Sequence, residues 1–230
     1  MTVRYSGSAA DAVRGVDLTL RPGECAGVIG ESGSGKSSLA LASLGLLRKR
    51  ADVEGSVLFK GVELNGLSES AMERYRWSRI AIVFQNGLDV LNPVIAVGEQ
   101  IAECIRRHSG EGKAAAAEKT RSLLEMVGLR ASWSDAYPHQ LSGGMRQKAL
   151  VAMALSCDPE VLLVDEPTMA LDAVSKREIV ELLLRLRAER GFAMLVISHE
   201  LPVVSAMTSR VMVMYSGSVL EEGPTEEIGR

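Results

Sequence analysis

The sequence predicts an α/β fold built on a parallel sheet, and three observations carry that reading. Short uninterrupted apolar runs recur, among them Cys25–Ile29 and Val161–Val164, and such runs suit strands buried on both faces. In the second half of the chain these runs alternate with helical segments, the pattern of parallel α/β topology. Apolar residues make up 47% of the 230 positions, ample for the core of one domain, with or without a subdomain.

The elements follow in order. Val16–Leu20 alternates apolar and polar residues like a strand, and Arg21-Pro22-Gly23-Glu24 turns it. Cys25–Ile29 is a buried strand feeding a glycine-rich loop, and Ser37–Leu47 is an apolar helix former. Gly55–Phe59 and Ile80–Phe84 read as further strands. Val97–Val127 is rich in Ala, Glu, Lys and Arg and is broken near Ser109-Gly110-Glu111-Gly112, so it reads as two helices joined by a loop. A helix follows Ser142. Val161–Val164 is a strand, Val174–Arg190 an amphipathic helix, and Met194–Ile197 and Val211–Met214 two more strands. The helical stretch between Gln85 and about Leu150 is an insert in the core, which leaves a core at about 1–84 and 150–230 and a helical subdomain at about 85–149.

Bulk properties exclude several classes. The net charge is −3, whereas nucleic-acid-binding surfaces are normally basic. No apolar run approaches the roughly 18 residues of a membrane span, and Met1–Tyr5 lacks the apolar core of a secretory signal. Cys25, Cys104 and Cys157 are far apart and lack metal-ligand spacing; they read as buried or incidental thiols of a reducing compartment. A cytoplasmic location is expected.

Gly30-Glu31-Ser32-Gly33-Ser34-Gly35-Lys36-Ser37 fits G-x-x-x-x-G-K-[ST] between a predicted strand and a predicted helix. Its glycines let consecutive backbone N–H groups point inward as a nest for phosphate oxygens, and the helix beginning near Lys36 adds its positive end. Lys36 is placed to reach the β- and γ-phosphates of ATP, and the Ser37 hydroxyl to bind Mg²⁺. Ser38 continues the loop. Asp165 and Glu166 stand at the C-terminal end of an apolar strand, where α/β sheets hold their ligands. Asp165 is the expected Mg²⁺ partner, and Glu166 is positioned to polarise an attacking water.

A second glycine loop, Leu-Ser-Gly-Gly-Met-Arg-Gln at Leu141–Gln147, precedes a helical stretch and stands about twenty residues before Asp165. Again backbone N–H groups and a hydroxyl face an anion. With the phosphate loop and the acidic strand end, this run resembles the signature of the ATP-binding cassette (ABC) family along nearly the whole chain. The resemblance implies a P-loop ATPase core with a parallel sheet, an N-terminal antiparallel β subdomain and an inserted α-helical subdomain. It implies two subunits packed head to tail around two ATPs, so that Ser142, Gly143 and Gly144 complete the partner's site. It also implies that Gln85 is a Mg²⁺ and water contact that senses the membrane partner and that His199 touches the γ-phosphate. Asp172 would lie in a loop crossing the dimer interface, where Met169 replaces the family's usual serine. Tyr5 is similar in position to the aromatic ring that stacks on adenine; a frayed terminal tyrosine is the alternative.

The run from Ile82 to Gln100 resembles ATPases of dipeptide, oligopeptide and nickel importers, in Leu91-Asn92-Pro93 and Val97-Gly98-Glu99-Gln100, as does Tyr137-Pro138-His139-Gln140; Asn86-Gly87 departs from that pattern. It implies integral membrane subunits docking near Asn86–Pro93, an external substrate-binding protein, an identical or non-identical second ATPase subunit, and a place on the inner face of the cell membrane. That branch usually continues into a C-terminal extension, often with a cysteine cluster; Glu221–Arg230 resembles the end of the core, so the extension is either removed or naturally absent, and no iron–sulfur site is expected. The expected function is ATP hydrolysis that powers uptake of a small solute, a peptide or a nickel chelate. A soluble ATPase of DNA or ribosome maintenance is the alternative, but it would carry a long coiled-coil insert or two cassettes. A regulatory module without turnover would be marked by replacement of Glu166 or His199, and both are present.

Overall fold

A computed structural model describes residues 1–84 and 90–228. Contacts divide the chain into two compact units, Met1–Arg76 with Ala193–Arg230, and Trp77–Phe192.

The first unit holds a four-strand arrangement in the order β10-β9-β2-β8, from Ser218–Pro224, Arg210–Tyr215, Cys25–Gly30 and Ala193–Ser198. β2 runs parallel to both β8 and β9, and β10 is an antiparallel edge strand. β8 is buried at every position and β2 along most of its length, as their continuous apolar sequences require. Gly27 in β2 permits close packing of the short helix α7 (Leu201–Met207): a Cβ there would stand 2.3 Å from a Val204 methyl. β1 (Thr2–Tyr5) pairs antiparallel with β3 (Ala51–Glu54), and β4 (Leu58–Phe59) with β5 (Val62–Glu63). These pairs supply the antiparallel β part. Helices α1 (Lys36–Ser43) and α2 (Glu69–Glu73) complete the unit.

In the second unit β6 (Ile80–Val83) runs parallel to β7 (Val161–Asp165), with Val83 opposite Val164. Helix α3 (Val97–Ser109) buries Val97, Ile101 and Ile105, one residue per turn, against α4 (Lys113–Met126) and the 3-10 turn Ala131–Asp135. Helix α5 (Gly143–Ala154) is buried along most of its length. Helix α6 (Ala173–Arg190) buries Ile179, Leu182, Leu183 and Leu186, the i, i+3, i+4, i+7 spacing of one face. Each such burial contributes roughly 1.5–3 kcal/mol. Asp172 caps its N-terminus, Arg187 and Arg190 occupy the last turn, and Gly191, with a φ of 72°, ends it in the left-handed conformation.

Two sequence expectations fail. Val16–Leu20 forms no strand; the Val16 N–H donates to Met1 O and its carbonyl accepts from the terminal ammonium, while the Thr19 carbonyl accepts from the Arg210 guanidinium. Gly55–Phe59 does not form one strand either. The ladder lies earlier, at Ala51–Glu54, and ends at Gly55, whose φ of 94° breaks extended geometry before the short β4.

Candidate functional site

The first unit carries the phosphate loop. β2 delivers the chain to Gly30, and α1 begins at Lys36. Gly35 caps that helix with a φ of 101°, and a Cβ on it would stand 2.2 Å from the carbonyl oxygen of Ala12. Only glycine meets both demands. Glu31, Ser32 and Gly33 are exposed, whereas Ser34 and Lys36 are buried. The Lys36 ammonium donates to Gly30 O and Glu31 O, each at 2.7 Å, and to Ser34 Oγ at 3.2 Å. Three oxygens of its own loop thus contact the buried cation, and phosphate oxygens would be stronger, charge-assisted acceptors. Ser37 opens the helix beside it.

Two further residues gather at this loop. Tyr5, last in β1, shares a hydrogen bond of 3.0 Å between its hydroxyl and Ser38 Oγ. The β2–β8 register sets Ile29 opposite Ser198, so exposed His199 follows a strand end beside the start of the phosphate loop. Buried Ser198 accepts the Glu200 N–H through Oγ at 3.1 Å, which fixes the turn around His199.

The second unit carries the acidic residues. Asp165 ends β7 at 3% exposure and Glu166 follows at 7%. Two carboxylates this deep are costly unless the surroundings hold them. Glu166 has a φ of 49°, the left-handed region, unusual for a residue with a long side chain. Backbone strain of this kind, of order 1–3 kcal/mol, gathers at functional sites.

Ser142 is the N-cap of α5, its Oγ accepting from Met145 N at 3.2 Å. Gly143 and Gly144 have no positive φ, so close packing is what calls for glycine here. A Cβ on Gly144 would meet Ser175 Oγ at 2.9 Å, and one on Gly143 would meet a Leu171 methyl at 3.3 Å. Asp172 Oδ1 accepts from the N–H groups of Val174 and Ser175, and its Oδ2 from Ser175 Oγ at 2.7 Å. The Ser175 hydroxyl, helped by these N–H groups, holds the Asp172 carboxyl below its ordinary range. Met169, four positions before α6, is exposed.

Gln85 and residues 86–89 of the expected docking stretch lie outside the described residues. Beyond them Leu91 is buried, while Asn92, Pro93 and Val94 are exposed. Sequence reasoning missed what holds this segment. The buried Gln100 amide accepts from Asn92 N at 2.8 Å and donates to Asn92 O at 3.0 Å and Ile95 O at 2.8 Å. It also missed Ser175, whose only sequence signal is its place three residues after an N-cap aspartate.

Comparison with known proteins gives these features a context. The profile of the ABC transporter family matches residues 13–169. An oligopeptide transport ATP-binding protein of Mycobacterium bovis is 43% identical over 233 residues, covering 100% of this chain and 38% of that protein. A putative peptide import ATP-binding protein of Brucella ovis is 42% identical over 228 residues, covering 95% of this chain and 68% of its own length. This chain therefore spans well under half of the mycobacterial relative. Among solved structures, an ATP-binding cassette in a dimeric post-hydrolysis state bound to ADP and Pi superposes with a TM-score of 0.84 at 28% identity, covering 97% of this chain and 95% of that one.

Proposed function

The chain belongs to the ABC transporter family, and from that premise we propose that it is the ATP-hydrolysing subunit of a peptide importer, working as a head-to-tail pair of cassettes. One observation carries the reading: the phosphate loop, the acidic strand end and the signature loop all stand in one chain whose full length aligns with an oligopeptide transport ATP-binding protein.

Residues 30–38 bind the triphosphate, with Lys36 exchanging its loop carbonyls for phosphate oxygens. Tyr5 faces the base and His199 the γ-phosphate. Ser142, Gly143, Gly144 and Asp172 serve the nucleotide on the partner. The donor set fits Mg²⁺: the Ser37 hydroxyl and Asp165 carboxylate are hard oxygens, and among the described residues no cluster of three acidic, His or Cys side chains forms an all-protein cage, as suits an ion that keeps waters and phosphate oxygens. Bound there with Gln85, the ion would neutralise charge on the phosphates. Glu166 accepts the proton of the attacking water, and its buried, strained position holds the carboxylate in one place.

Among the described residues no helix is long and apolar enough to cross a membrane. Passage of the solute falls to separate membrane subunits, which dock near Asn86–Pro93 from an inner-face position, with an external binding protein supplying the peptide.

Glu166→Gln tests this. The variant should bind ATP like the parent, lose turnover by about 100-fold or more, as expected for removal of a general base, and collect as an ATP-bound dimer. Cells carrying only the variant should fail to take up labelled peptide. Parental turnover in the variant removes the assigned base, and undiminished peptide uptake removes the transport reading.

A further inference from the structure

We infer that Ser175 is a positioning residue that locks the Asp172 loop to the signature glycines, so that both meet the partner's nucleotide as one rigid piece; this rests on the proposed head-to-tail reading. The two loops lie about thirty residues apart in sequence and on different helices, α5 and α6. Ser175 is the side chain between them. Its Oγ donates to Asp172 Oδ2 at 2.7 Å, while its N–H, at 3.0 Å, and that of Val174 hold the other carboxylate oxygen. The same Oγ lies where a Cβ on Gly144 would stand at 2.9 Å, and the Ser175 Cβ at 3.2 Å.

Contact is this close only because Gly144 has no side chain. Its backbone conformation is not one that L-residues avoid, so the space, not the φ, excludes alanine. The neighbouring pair repeats the arrangement, since a Cβ on Gly143 would press on Leu171, one residue before Asp172. One turn further along, Lys148 Nζ and Glu178 Oε2 join the same two helices at 2.7 Å. A displacement of either loop must therefore carry the other or break the serine's contacts. Packed elements of this kind hold discrete arrangements rather than deforming smoothly.

The test uses the full chain with Mg·ATP. Three quantities are read: nucleotide affinity, turnover, and ATP-dependent dimer in the Glu166→Gln background. Ser175→Ala should keep affinity within about twofold and lower turnover and dimer formation about tenfold, the ratio that ~1.4 kcal/mol sets. Ser175→Thr, which keeps the hydroxyl, should recover much of the loss. Gly144→Ala should lose at least as much as Ser175→Ala. Parental affinity in Ser175→Ala, together with recovery in Ser175→Thr, separates positioning from misfolding. Parental turnover and dimer in Ser175→Ala, or a Ser175→Thr variant no better than Ser175→Ala, overturns the inference while leaving the head-to-tail reading intact. A chain that forms no dimer with ATP in the Glu166→Gln background overturns both.

Discussion

The Nζ of Lys36 lies 2.7 Å from the carbonyl oxygen of Gly30, so the cation folds back on the start of the loop that it closes. With Glu31 O and Ser34 Oγ as further partners, it holds the curve of the loop. The same ammonium thus organises the loop and offers the charge that a triphosphate needs.

Lys36→Ala is therefore expected to weaken ATP binding by about 10- to 100-fold, since a hydrogen bond to a charged group is worth roughly 1.5–3 kcal/mol. Titration with a fluorescent ATP analogue measures this directly. An unchanged dissociation constant would remove the lysine from the nucleotide site.

Gly35→Ala acts on the backbone. A Cβ would stand 2.2 Å from Ala12 O in a residue with a φ of 101°. Clash and strain together should lower stability by about 2 kcal/mol or more, visible as a lower denaturation midpoint, and should disturb ATP binding as well. Gly33 has a positive φ but open space around it, so Gly33→Ala should cost less than Gly35→Ala. Equal midpoints for the two variants would show that the contact with Ala12 carries no weight.

The contrast shows what sequence can convey. Gly35 was legible because its demand is local: a loop must turn into a helix at that residue. β2, β7 and β8 were legible as continuous apolar runs, and α6 by its apolar face. β1 was not, because Thr2–Tyr5 finds its partner fifty residues away at Ala51–Glu54. β10 escaped for another reason. It is a largely exposed edge strand, and its register shifts between Val219 and Glu221, which breaks the alternation on which recognition relies. Val16–Leu20 had the alternation and no ladder to join. In the site, Ser175 was silent because its work depends on Gly144, and nothing in a linear reading connects the two.

Asp172 should show its environment in the acid limb of stability. The Ser175 hydroxyl first, then the two backbone N–H groups, lower its pKa. A carboxylate with a lowered folded pKa stabilises the fold above its unfolded value, about 3.9, and that contribution disappears as pH falls through the folded value. Between about pH 6 and pH 3 the parent should therefore lose more of its urea midpoint than Asp172→Asn, whose side chain still caps α6 but does not titrate. Parallel losses in the two proteins would mean that the carboxylate has no special partner in the folded chain.

Cys104, on α3, should be slow to react. Burial pushes its thiol up to about 11, with neighbouring Cys157 adding to the rise; burial raises Cys157 too, against a hydrogen bond from Ser156. The thiolate is the reacting form. At neutral pH the folded protein should then hold about 100-fold less Cys104 thiolate than the unfolded chain, from a rise from 9.0 to about 11. Iodoacetamide labelling followed by peptide mass spectrometry should find Cys104 protected in the native state and modified readily in concentrated urea. Raising the pH from about 7 to 9 should speed native labelling by about tenfold per unit, because the thiolate fraction grows in that proportion well below the pKa. Native labelling at the unfolded rate would mean that the Cys104 side chain is solvated, and that α3 opens to water along the face where its apolar residues pack.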